Sequence, residues 1–128
     1  HLILDVPQKL ITENGCSIYP QLEKNSKVIV FGKGVFANRL IDSIDKRNFA
    51  YLLDNIDRMD SEKISRLITQ EYDFIVIAIL NYKTVKSTID LLSRAGMTRD
   101  KILCIAKENL TWERLPDEVR ELCKKVEL

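Results

Sequence analysis

KVIVFGKGVFANRLI, from Lys27 to Ile41, joins two periodicities through a glycine turn. Lys27-Val28-Ile29-Val30-Phe31 is a short, continuous, β-branched apolar run. Such runs suit strands buried on both faces, as in parallel sheets. After Gly32-Lys33-Gly34 the apolar positions become 36, 37, 40, 41 and 44, the stripe of a helix packed by one face. A strand running through glycines into a helix is the opening of a βαβ unit.

The pattern repeats outward. Phe49 to Leu53 predicts a second strand ending in Asp54-Asn55. Asp60-Ser61-Glu62 offers an N-cap and a first-turn acid to a helix carrying Ile64, Leu67 and Ile68. Asp73 to Leu80 predicts a third strand. Asn81 can cap a helix with Val85, Ile89, Leu92 and Ala95 inside, and Gly96 can stop it. Ile102 to Ile105 predicts a fourth strand. Pro116 suits the first turn of a last helix burying Val119, Leu122, Cys123 and Val126. Alternation of this kind predicts an α/β, three-layer Rossmann-like domain: a short, mainly parallel sheet with helices on both faces. The Val28 strand is expected in the centre, between the Phe49 and Phe74 strands. We divide the chain into an arm or linker over 1–26, the domain over 27–106, and a linker with an amphipathic helix over 107–128.

Within the turn, Gly32-x-Gly34-x-x-Ala37 has a chemical use. The first glycine permits the turn, the second lets a pyrophosphate approach the backbone, and a small third residue lets helix and strand pack. Free N–H groups at the helix start favour an anion. Gly32, Lys33, Gly34 and Val35 are therefore candidate contacts. Asp54 stands 20 residues after Gly34, where an acid can accept from a ribose hydroxyl. Asn55 and Asn81 are candidates at neighbouring strand ends. A structural alternative stands beside each: the glycines as a packing turn, Lys33 as a solvated lysine, Asp54 and Asn55 as turn residues.

Other chemistry is sparse. Tyr82 and Lys86 have the Tyr-x-x-x-Lys spacing of short-chain dehydrogenases, but follow the third strand, with no Ser or Thr on a preceding strand end. Apart from His1, read as a tag remnant or a cut from a longer protein, the chain has no histidine. That removes Ser-His-Asp and Cys-His sets and most catalytic metal sites. Cys16, Cys104 and Cys123 are odd in number and widely spaced, as reduced core thiols are. Trp112 is either a packing anchor or a stacking platform. Arg114, Arg120, Lys124 and Lys125 give the last helix a polar face that is either solvated or docks another domain. The chain's 20 basic and 19 acidic residues leave a net charge of +1, against a nucleic-acid surface. No apolar run reaches the ~18 residues of a membrane span.

Gly32-Lys33-Gly34 after one strand, Leu53-Asp54-Asn55 after the next, Tyr72 to Ile79, and Leu92-Ser93-Arg94-Ala95-Gly96 together resemble the Rossmann-like domains of bacterial surface-polysaccharide proteins. These occur in nucleotide-sugar dehydratases of the capsule type, in sugar acetyltransferases, and as accessory domains of glycosyltransferases. Ile18-Tyr19-Pro20 and Lys24 to Lys27 look most like the accessory form. The resemblance covers about residues 18 to 106. It implies a cytoplasmic domain that binds NAD(P) or a nucleotide-sugar through Gly32, Gly34 and Asp54 and contacts other domains of a parent chain, with a homodimer as a further possibility. With no catalytic set visible in the sequence, the domain is not expected to be an enzyme alone. Lys33 departs from the small residue common there, and the usual third strand after Asp54 is shortened. The rival expectation is an interaction or dimerisation module without a small-molecule ligand.

Overall fold

The computed structural model describes residues 10–11, 18–57 and 61–127. The expectations on Leu2 to Leu4, Cys16 and the Asp60 cap lie outside the described residues. Four strands form one all-parallel sheet in the order β2-β1-β3-β4: β1 (Lys27–Phe31), β2 (Tyr51–Ile56), β3 (Phe74–Ile77) and β4 (Ile102–Leu103). Helices α1 (Val35–Arg47), α2 (Ser61–Thr69) and α3 (Tyr82–Arg94) fill the crossovers, and α4 (Asp117–Lys124) closes the described chain. Because β1 to β2 runs one way across the sheet and β2 to β3 the other, right-handed crossovers put α1 and α2 on opposite faces. The three-layer α/β arrangement is as the sequence predicts.

The core is built where the two periods predicted it. Val28, Ile29, Val30 and Ile75, Val76, Ile77 are fully buried, and Phe36, Ala37, Leu40 and Ile44 press α1 onto them. Val85, Ile89 and Leu92 do the same for α3, and Val119, Cys123 and Val126 for the last helix and its end. Ile18, Tyr19 and Leu22 are also buried in the core. The Thr111 N–H donates to the Ile18 carbonyl, tying this early segment to the chain after β4.

Element ends differ from expectation for identifiable reasons. The second strand starts at Tyr51, not Phe49. The Phe49 N–H is taken by the Ile44 carbonyl, closing α1 through Asn48 in the left-handed region (φ 48°). It also continues past Asp54 to Ile56, because β2 has a bulge. Val28 pairs with Leu52 but Ile29 with Asp54, so Leu53 is extra. The fourth strand stops at Leu103 because the Cys104 N–H donates to the Asn109 side chain at 3.2 Å instead of continuing the ladder. Pro116 precedes α4 as its cap rather than sitting in its first turn, its carbonyl accepting from Val119 and Arg120. Asn81 caps α3 as expected: its Oδ1 accepts from Lys83 and Thr84 N–H at 3.0 and 3.2 Å. Leu92, Ser93, Gly96 and Met97 close that helix with a Schellman pair of hydrogen bonds.

Candidate functional site

The chain leaves β1 for β2 on one side and returns to β3 on the other. The C-terminal ends of β1 and β3 therefore part, which is the place where open α/β sheets bind ligands. A cleft of about 340 Å³ lies there, lined by Gly32, Lys33, Gly34, Phe36, Asp57, Ala78, Ile79 and Leu80. Phe36, Ile79 and Leu80 make an apolar wall, and the glycine backbone and two charged side chains make the rest.

The two glycines have different reasons to be there. Gly32 has φ +125°, and a Cβ on it would stand 2.9 Å from the Ala78 carbonyl oxygen and 3.4 Å from the Ala37 Cβ. The fold itself excludes a side chain at this position. Gly34 has ordinary extended dihedrals (φ −79°, ψ −172°), and a Cβ on it would meet nothing within 4 Å. It opens α1 with no side-chain cap, and the first turn of α1 carries no acid. The helix therefore turns its first N–H groups, uncapped by any side chain, toward the cleft, with the positive end of its dipole behind them.

The second strand's polar residues are placed otherwise than expected. Asp54 lies inside β2, level with Ile29, two residues before the strand end. Its Oδ1 accepts from the Asn55 N–H at 2.8 Å, and it borders a separate small cleft of about 70 Å³ against Lys63, Arg66 and Leu67 of α2 and Gln70 just after it. Asn55 donates through Nδ2 to the carbonyls of Val30 (3.1 Å) and Gly32 (2.7 Å). Those donors hold the glycine turn to β2 and are spent on the fold. Asp57 is the acid that reaches the glycine cleft, with its Oδ1 3.8 Å from the Lys63 ammonium. The sequence shows Asp57 as plainly as Asp54; the bulge that decides between them is invisible there. Asn81 is one residue beyond Leu80, its Oδ1 committed to the α3 cap. Val35 is 53% exposed at the first position of α1. The cation over the Tyr82 ring is Lys125, 5.8 Å from its centre.

A larger groove, about 740 Å³, lies at the opposite edge of the sheet between Gln21–Ser26, Asp73 and Asp100–Lys101. Glu23, Asp73 and Asp100 line it beside Lys24 and Lys101, and the carbonyl ends of the crossover helices face that edge, so it lacks the N–H donors that an anion needs. One Asp73 oxygen is already occupied by the Lys27 N–H at 2.7 Å. Size therefore does not decide between the two; the exposed N–H groups do.

Cys104 and Cys123 are buried free thiols. Burial pushes both upward, Cys123 to about 12, so neither is a nucleophile at neutral pH. Among the described residues no group of three or more His, Cys, Asp or Glu is placed to hold a metal ion. No described helix is long and apolar enough to cross a membrane. Comparison with protein-family models, curated proteins and solved structures found nothing that matches this chain.

Proposed function

We propose that this chain is the nucleotide-binding or nucleotide-sugar-binding domain of a cytoplasmic bacterial protein of cell-surface polysaccharide synthesis. The observation that carries the reading is Gly34: nothing in the fold requires a glycine there, yet its bare backbone and the uncapped start of α1 face an open cleft. A diphosphate supplies what that place lacks, an acceptor for the N–H groups and a charge for the dipole. Lys33 adds a cation at the rim, and Asp57 takes over from Asp54 as the acceptor for ribose hydroxyls. The role is binding; chemistry belongs to other parts of the parent protein.

A thermal-shift screen with NAD, NADP, UDP, CDP and UDP-sugars tests this. A ligand specific to the native state stabilises by RT ln(1 + [L]/Kd), about 2.7 kcal/mol at a hundredfold excess over Kd. At least one nucleotide is expected to raise the midpoint by several degrees. A flat response at millimolar concentration removes the reading. It would favour instead an interaction module docking through edge strand β2, where Tyr51 is 67% and Leu53 38% exposed.

A further inference from the structure

A second cleft, of about 390 Å³, opens beyond the end of β4, lined by Ala106, Lys107, Glu108, Trp112 and Glu127. We infer that it is the other half of the same site, and that Trp112 is the face on which the hexose of a bound nucleotide-sugar lies. This rests on the nucleotide reading above and adds to it the class of ligand.

Register puts the two clefts on one edge. Val30, Val76 and Leu103 form a paired row across β1, β3 and β4. Four residues beyond that row stand Gly34, Leu80 and Lys107: the first two border the glycine cleft and the third lines the Trp112 cleft. Two strand spacings separate β1 from β4, roughly 10 Å. That is comparable with the reach from a diphosphate to the sugar it carries. Lys125, two residues before Glu127 of the Trp112 cleft, stands over Tyr82, two residues after Leu80 of the glycine cleft. Lys33 and Lys107 thus put one ammonium group at each cleft.

The Trp112 cleft has the chemistry a hexose needs. Arg120 donates to the carbonyls of Trp112 (3.2 Å) and Glu113 (3.1 Å), and its guanidinium carbon is 5.7 Å from the ring centre, so the indole is held in place. Lys107, 5.2 Å from the ring centre, is exposed and can yield to a ligand. Glu127 is an exposed carboxylate at the rim and an acceptor for sugar hydroxyls; Glu108 beside it has one oxygen ion-paired with Arg99 and the other left to accept, while the apolar C–H face of the ring sugar covers the indole.

Trp112 is the only tryptophan in the chain, so its fluorescence reports this cleft alone. The probes are UDP, UDP-glucose, CDP, CDP-glucose and NAD, followed by calorimetry and by Trp112 emission. The expected result is that one sugar conjugate binds about tenfold tighter than its parent nucleotide and alone shifts the emission. In Trp112→Leu the conjugate and its nucleotide should bind alike. Because Trp112 also packs on the core, Glu127→Gln provides a rim variant that leaves that packing intact, and it should narrow the same gap. Equal binding of nucleotide and conjugate with unmoved emission overturns the sugar subsite and leaves the nucleotide reading standing. An emission shift with NAD and none with either conjugate overturns it in favour of a dinucleotide. If no probe binds, both fall together.

Discussion

Gly32 and Gly34 stand two residues apart and invite opposite outcomes on substitution. At Gly32 a methyl group meets the Ala78 carbonyl at 2.9 Å in a backbone conformation closed to side chains. Gly32→Ala should cost about 2–3 kcal/mol, read as a lowered urea midpoint with an unchanged slope. At Gly34 the new carbon enters open space with permitted dihedrals. Gly34→Val should stay within about 1 kcal/mol of the parent in the same urea titration. It should lose the nucleotide-induced rise in melting temperature, because the branched side chain fills the phosphate's place. A Gly34→Val protein that unfolds outright would make the turn a packing device. One that binds normally would move the ligand elsewhere.

Strand β2 is the element that sets the site's polar chemistry. Its bulge at Leu53 carries Asp54 away from the strand end and brings Asp57 to the cleft. The same shift lets Asn55 donate to the Val30 and Gly32 carbonyls, so a side chain fastens the glycine turn to the neighbouring strand. Asn55→Ala removes both donors and strands two partly buried carbonyls. A loss of about 1–3 kcal/mol is expected in chemical denaturation. Asn55→Asp replaces the donor amide by acceptors and should cost at least as much. Little effect from either would show that β2 does not hold the turn. Under the proposed function Asp57 takes the ribose role expected of Asp54, while the Asn55 amide holds the turn.

For the whole molecule, buried thiols make global stability sensitive to alkaline pH. Cys123 is raised from 9.0 to about 12 by burial, with Cys104 adding to the rise. Below pH 9 the thiol is protonated in both folded and unfolded chains, and its contribution is complete. Between about 9 and 12 the unfolded chain releases the proton while the folded one keeps it. Stability then falls by about 1.4 kcal/mol per pH unit for this group. Urea titrations from pH 8 to 11 should show this decline, and Cys123→Ala should be less steep over the same range though less stable at pH 8. A parallel slope in the variant would assign the decline to other groups.

The sequence by itself determined the strand–turn–helix unit at Lys27–Arg47, the alternation of elements, the parallel class of sheet and the first glycine's role. Those are local properties: apolar spacing of one, two or three to four residues decides which face is buried, and a tight turn needs a glycine wherever it lies. Only the tertiary structure decided that Asp57 rather than Asp54 faces the cleft. It alone committed Asn55 to carbonyls 25 and 23 residues away, and placed Trp112 on the same sheet edge as Gly34. Those outcomes depend on register, on a bulge and on pairing between distant strands. Side-chain periodicity holds no record of them, because shifting one strand by a single residue exchanges its faces without changing one letter of the chain.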